Sequence, residues 1–411
     1  MKRTFLLIAL LAQGLAGCTQ LTPTEQMIKD LDYLNKKIQR QFDSFTPIVK
    51  DNFQSEIATI KSNLSNLKPY EFPCEIMRVL SMLKDGHTEL NIGQLKVGFH
   101  RLPLLLYNYE GDFRVVGAHE NYAELLGAKI VSISDTPIDE VFATLKKRMS
   151  ADNDKEYLHA GPGYLILTEL LACMSITNDP QKARVSFEST NGDLIQKNFE
   201  GLTAEEYQNG NWRYARESEP PLYLSNRKDS YWYHWLAKEG VMYVHISRLN
   251  NQKGTSSIKK FTSTLFEEVD QKRPFKLIID VRLNNGGNYN LSRPIVEAIK
   301  EREWLNQKGK LWMITGRRTF SAASAMAIFL IKETEVTLIG ESGRTHPNQA
   351  DNNEYMSLPY SDYLIEYTTK IKKHWPERPQ LTMIPVDIEI LPDFESYRQG
   401  RGIVMEYILK Q

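Results

Sequence analysis

The chain is poor in the features that would reveal its chemistry at sight. Among 411 residues there are three cysteines, Cys18, Cys74 and Cys173. They form no Cys-x-x-Cys pair, and the sequence holds no His-Glu-x-x-His and no close His/Asp cluster, so no metal site is expected. No glycine-rich phosphate or dinucleotide loop occurs either, and no cofactor is expected. Neither sign of charge is in excess, because 51 Lys and Arg balance 51 Asp and Glu. With no basic stripe and no recognition-helix pattern, nucleic acid is not an expected partner. Past the first residues no stretch is long and apolar enough to span a bilayer. What remains is a globular composition, 41% hydrophobic and 25% charged, in a chain long enough for two or three domains.

The first residues read as an address. Lys2-Arg3 form a basic start and Phe5 to Ala12 a short apolar core. Leu15-Ala16-Gly17-Cys18 then matches a bacterial lipobox, predicting a signal peptide over 1–17 and a mature chain that begins at a lipidated Cys18. Several acyl chains on one cysteine give stable anchoring where one chain gives little. Thr19 follows in place of the Asp that often retains lipoproteins at the inner membrane, so the expected location is the outer membrane, facing the periplasm or the surface. An oxidising compartment would permit a disulfide between Cys74 and Cys173, and two buried thiols fit as well.

Residues 18–90 read as helical. Thr22-Pro23-Thr24-Glu25 is a capping box with proline at the first helical position, and Met27, Ile28, Leu31, Leu34, Ile38 and Phe42 follow at helical spacing. Phe53, Ile57, Ile60, Leu64 and Leu67 mark a second helix. A third runs from about 73 to 84 and stops at Asp85-Gly86-His87-Thr88, where Gly86 suits a left-handed end. Residues 91–205 mix strands and helices, with a hairpin at 183–199 turning on Asn191-Gly192. The aromatic stretch from Trp212 to Trp235 reads as a connection. From about 236 strands and helices alternate, which predicts an α/β core over 206–411, with ligands at the carboxyl ends of its strands.

Two segments fall at such ends. Ser321 lies between an apolar strand, Leu311 to Ile314, and a helix-forming run, Ala322 to Ile331. A serine there is either a helix cap, a role serine commonly takes, or a nucleophile presented at the positive end of a helix dipole. Gly286-Gly287 follows another strand and suits backbone N–H groups turned toward a ligand, with the amide of Ala322 as a second donor for an oxyanion. A serine nucleophile needs a base, and the residues offer two candidates, His87 after a helix end and His346 after a strand.

Asp280-Val281-Arg282-Leu283-Asn284-Asn285-Gly286-Gly287 resembles the Asp-x-Arg-x-Asn-x-Gly-Gly motif of tail-specific, or C-terminal processing, peptidases. Asp85-Gly86-His87-Thr88, Phe320-Ser321-Ala322-Ala323, Gly340-Glu341, Leu358-Pro359-Tyr360-Ser361 and Pro385-Val386-Asp387-Ile388 occur in the order of that family, and the match is most similar to its tricorn-like branch, which also contains non-proteolytic retinoid-binding modules. The resemblance implies a Clp-protease/crotonase-like α/β catalytic domain and a degenerate PDZ-like middle domain over 91–205, beside the N-terminal helical domain read from its periodicity. It implies Ser321 as nucleophile and His87 as base, with His346 in reserve, and Asp280 and Arg282 as braces of the glycine loop. Where the processing branch carries a glutamate and a lysine base after its nucleophile, this chain has Ser324 and His346. Where the tricorn-like branch carries a distal glutamate, it reads Gln380-Leu381-Thr382-Met383-Ile384-Pro385. The expected function is a lipid-anchored serine peptidase acting on peptides or unfolded protein C-termini. The alternative is a silent relative that holds an apolar ligand or a peptide in the same cleft. Oligomeric state is left open.

Overall fold

A computed structural model describes residues 21–411 apart from 43–46, 96–97, 252–256 and 349. The lipobox and Cys18 lie outside the described residues.

Six strands form one sheet in the order Ile388–Glu389, Thr337–Gly340, Leu311–Thr315, Lys276–Asp280, Val241–Ile246, Tyr231–Leu236. Neighbours run parallel except for the last strand, which is antiparallel. A parallel sheet is covered on both faces, so its strands must be apolar on both. Leu277 and Ile279, Met242 and Val244, Leu311 and Met313 turn to a core shared with helices Ile258–Lys272, Arg293–Lys300 and Ala322–Glu333. The intervening Ile278, Tyr243, Trp312 and Ile314 turn to the opposite face. There the C-terminal helix Ile403–Lys410 packs Val404, Met405 and Ile408 against them. The helix after Ser321 is sealed in, with every residue from Ala322 to Ile328 buried.

The stretch expected as a connection, Trp212 to Trp235, contributes strands at both ends. Trp212–Tyr214 pairs with Asp112–His119, and Tyr231–Leu236 forms the antiparallel edge of the six-stranded sheet. Its period-2 pattern was masked because both faces carry aromatics: Tyr231 and Tyr233 pack toward the helices, Trp232 toward the far side.

Thr22 caps the helix Pro23–Gln41 through the expected box, its hydroxyl accepting the Glu25 N–H while Glu25 Oε2 accepts the Thr22 N–H at 2.7 Å. Helices Pro47–Asn63 and Glu71–Ser81 follow, burying Phe53, Ile57 and Ile60, then Ile76, Val79 and Leu80. The left-handed residue after the third helix is Lys84 (φ 50°), and Gly86 is not left-handed. The middle of the chain builds a sheet in the order Leu104–Tyr109, Asp112–His119, Lys129–Ile133, Lys182–Glu188, Leu194–Glu200, and the 182–200 hairpin turns through Gly192 at φ 88°. Cys74 and Cys173 are joined, linking Glu71–Ser81 to Thr168–Cys173 across 99 residues of sequence. By loop-closure entropy such a link contributes about 4–5 kcal/mol.

The hairpin Ala350–Ser357/Leu364–Ile371 leaves the α/β sheet. It pairs antiparallel with Glu89–Leu90 as a separate three-stranded sheet, and Met356, Leu358, Ile365 and Tyr367 enter the core of the N-terminal and middle layers. Asp30 holds its tip, accepting the N–H groups of Tyr360 and Ser361 at 2.9 Å each. This excursion brings the His87 loop to the α/β core. No helix of the described residues is long and apolar enough to cross a membrane.

Candidate active site

The elbow at Ser321 is built by clamps on the segment before it. Thr319 Oγ1 donates to the Val281 carbonyl and accepts the Gly316 N–H, both at 3.0 Å, and the Phe320 N–H donates to the Asn284 carbonyl at 3.0 Å. Ser321 then sits at φ 52°, ψ −117°, and its N–H donates to Thr345 Oγ1 at 2.6 Å. That conformation is outside the wells open to a residue with a Cβ and costs on the order of 1–3 kcal/mol. The serine occupies the cap position of Ala322–Glu333, yet its side chain makes no capping hydrogen bond. Of the two roles the residues left open, the cap role does not fit. The hydroxyl is presented at the positive end of a buried helix.

The glycine loop lies against it. A Cβ on Gly286 would stand 2.8 Å from Ser321 Cβ, and one on Gly287 would stand 2.2 Å from the Leu249 carbonyl oxygen. Both have positive φ, 103° and 132°. Glycine is therefore required twice over. Asn284 fixes the loop, its Nδ2 donating to the Ile246 carbonyl at 3.0 Å and its Oδ1 accepting the Gly286 N–H at 2.8 Å. The Gly286 N–H is thus committed to Asn284. Among the described residues the N–H groups of Gly287 and Ala322 have no acceptor, so those two are free to receive a developing oxyanion. Asp280 and Arg282 brace the strand end: Arg282 Nε donates to Asp280 Oδ1 at 3.0 Å and Tyr243 Oη to Asp280 Oδ2 at 2.7 Å.

His87 and Ser321 line one cavity of about 680 Å³, together with Gly286, Gly287, Asn285, Phe320 and Arg344. His87 is 4% exposed and stacks on Phe320 with ring centroids 4.2 Å apart, while the Arg344 guanidinium covers Phe320 at 3.7 Å. Neither ring nitrogen has a hydrogen-bond partner among the described residues. Asp85 Oδ1 lies 3.8 Å from Nδ1. Burial opposes charging the ring, but the carboxylates of Asp85 and Asp152 outweigh it and raise the pKa above the ordinary histidine value. Asp152 also fixes the loop, accepting the Gly86 N–H at 2.6 Å and the His346 N–H at 3.0 Å. A Cβ on Gly86 would make a tight contact with Asp152 Oδ1, at 3.2 Å.

His346 borders a separate small recess that also touches Ser321 and Ala322. Its Nδ1 accepts the Asn348 N–H at 3.1 Å, and burial lowers its pKa. The two histidines therefore differ in kind. His87 has free nitrogens and carboxylates to stabilise an imidazolium, whereas His346 is a neutral ring with one nitrogen spoken for. Ser324, buried in the helix, lines a small recess with Thr319 and Thr345 and is not part of the large cavity's lining.

Sequence reading missed Asp152, Phe320 and Arg344 as parts of the site, and the two carboxylates Glu89 and Glu366 in the cavity wall. The last two face each other across the Glu89–Leu90/Leu364–Ile371 pairing, 277 positions apart in the chain. Glu89 reaches solvent, and partial desolvation by the cavity wall, reinforced by Glu156 and Glu366, raises its pKa to about 7. Only Phe320, next to the serine, carried a local signal. Asp85, His87 and Asp152 each place a ligand-type atom within 4.8 Å of the others, a cation-capable set that no sequence spacing suggested. Each carboxylate also accepts donors from this loop system, at His87 N–H and Thr88 Oγ1 for Asp85 and at Gly86 and His346 for Asp152, so the set fits a proton-handling group.

Mature CPAF in complex with lactacystin superposes with a TM-score of 0.63 at 12% identity, over 94% of this chain and 97% of that one. A serine-to-alanine mutant of CPAF gives 0.64 at 10% identity, over 94% and 96%. The chain shares the fold of CPAF. At this identity the likeness concerns the fold, and it spans all three layers. No protein-family profile matches the sequence, and no curated protein is similar to it. The α/β class expected for residues 206–411 accords with this fold.

Proposed function

We propose that the protein is a serine peptidase in which Ser321 attacks, His87 accepts and returns the proton, and the amides of Gly287 and Ala322 receive the oxyanion. The strained, uncapped conformation of Ser321 carries this reading: backbone strain persists only where surrounding structure imposes it, and here it exposes a hydroxyl to a cavity that holds a free imidazole. In the first step the Ser321 Oγ–carbonyl bond forms as its proton passes to His87. His87 then protonates the leaving amine, and water repeats the sequence in reverse on the acyl-enzyme. Asp85 and Asp152 stabilise the transient imidazolium, and Phe320 with Arg344 fixes the ring plane. The resemblance to tail-specific peptidases and the shared CPAF fold point the same way, toward peptides or unfolded protein ends as substrates. The lipobox adds a lipid anchor at Cys18 and a place at the outer membrane.

A fluorophosphonate probe tests the nucleophile. The expected result is stoichiometric labelling of the wild type, none of Ser321→Ala, and protection by lactacystin, the ligand in the CPAF structure. An unlabelled wild type that co-purifies with an apolar ligand would refute the peptidase reading.

A further inference from the structure

A second recess of about 500 Å³ adjoins the active cavity and shares Arg248, Asn250 and Asn285 with it. Its charged lining is of one sign: Arg227, Arg248 and Arg318, with no carboxylate among its walls. None of the three guanidinium groups has an ion-pair or hydrogen-bond partner among the described residues, although the chain pairs most of its other arginines, including Arg282, Arg317 and Arg344. Arg318 reaches solvent, and partial desolvation, with Arg344, Arg227 and Arg248 nearby, lowers its pKa, as expected where cations crowd without a counter-ion. On the wall between the two cavities, Asn250 Oδ1 is buried with no donor among the described residues. A buried acceptor without a partner costs free energy unless a ligand N–H completes it.

We propose that this recess binds a carboxylate of the peptide held at Ser321, with Asn250 accepting a backbone N–H of the same chain. This rests on the peptidase reading. Three unpaired guanidinium forks suit a carboxylate, which takes two parallel N–H donors, and lysines would not offer that geometry. Two carboxylates are available on a peptide, the α-carboxylate of its C-terminus and the side chain of an Asp or Glu. If the α-carboxylate binds, the distance from the recess to Ser321 sets how many residues are removed from the end.

The experiment compares one fluorogenic peptide as free acid and as C-terminal amide, each with Glu or Gln near its end, on the full protein. Cleavage is read on the wild type and binding on Ser321→Ala. The expected result is that losing the recognised carboxylate weakens binding and raises KM by about 10- to 100-fold, an effect that shrinks with salt. Loss on amidation identifies the α-carboxylate, and loss on Glu→Gln in the amidated peptide identifies the side chain. Arg227→Gln/Arg318→Gln, both exposed positions outside the Ser321 cavity, should abolish the discrimination while keeping kcat on the amide. Equal binding of all four peptides, or discrimination retained in the double variant, overturns the proposal even if cleavage is robust. Absence of cleavage with discrimination intact in the binding arm would overturn only the peptidase reading.

Discussion

The Ser321 side and the His87 side of the cavity are built in opposite ways. Ser321, Gly286, Gly287 and Ala322 come from consecutive units of one parallel sheet, and the clamps on them span at most 38 positions: Thr319 to Val281, Asn284 to Ile246, Phe320 to Asn284. His87 belongs to the N-terminal layer. Its loop is held by Asp152 from the middle of the chain through the Gly86 N–H, its ring stacks on Phe320 from the α/β unit, and the strand after it pairs with Leu364–Ile371. Thr88 Oγ1 accepts the Thr368 N–H at 3.1 Å across 280 positions. One half of the proposed chemistry is local topology. The other half exists only when three layers close on each other, so perturbing the layers should cost activity before it costs the elbow.

The most severe test of that contrast exchanges the two histidines. His87→Ala should lower kcat by about 100- to 10,000-fold, the range for a general base, whereas His346→Ala should stay within about tenfold. Comparable losses in both would remove the distinction. On the nucleophile side, Gly287→Ala forces a Cβ against the Leu249 carbonyl and displaces an oxyanion donor. We expect a loss of about 100- to 1,000-fold in kcat, checked beside the melting temperature to separate chemistry from unfolding.

Asp152→Asn sharpens the base side. It keeps the side-chain size but removes one of the two carboxylates that raise the His87 pKa. The acidic limb of kcat/KM should therefore move to lower pH, with kcat down by about tenfold. An unmoved limb would mean that Asp152 acts only as a loop brace. The smallest effect expected concerns Glu89, whose pKa is raised from 4.5 to about 7. The folded state holds that proton more tightly than the unfolded chain, so its contribution falls as pH rises from about 4.5 through 7. Glu89→Gln should therefore match the wild type at pH 4 and melt slightly higher at pH 8, by ~1–2 °C after allowance for its solvent access. A gap that widened toward acid would contradict the assignment.

Much of this was legible in the sequence for a physical reason. Period-2 and period-3.6 patterns report burial within one element, so the strands Val241–Ile246, Lys276–Asp280, Leu311–Thr315 and Thr337–Gly340, the capping box at Thr22 and the strand–turn–helix around Ser321 were readable, whereas the hairpin Ala350–Ser357/Leu364–Ile371 was not. The need for glycine at 286 and 287 was readable too. The aromatic edge strand Tyr231–Leu236 was not, because large rings on both faces erase alternation. The reading of Gly86 as a left-handed end was wrong in mechanism. Lys84 takes the positive φ, and Gly86 leaves room for Asp152, a carboxylate 66 positions away.

The sequence by itself determined the helices and central strands of the α/β unit, the serine at the head of an apolar helix, the glycine loop and two rival histidines, since each is a property of neighbouring residues. Only the tertiary structure decided that Ser321 is strained and uncapped, that His87 shares its cavity with nitrogens free among the described residues while His346 does not, that Glu89, Glu366 and Asp152 stand around them, and that Arg227, Arg248 and Arg318 line the recess beside it. Those facts depend on which backbone groups find partners across layers, and hydrogen bonds and burial between residues hundreds of positions apart leave no periodic trace in the chain.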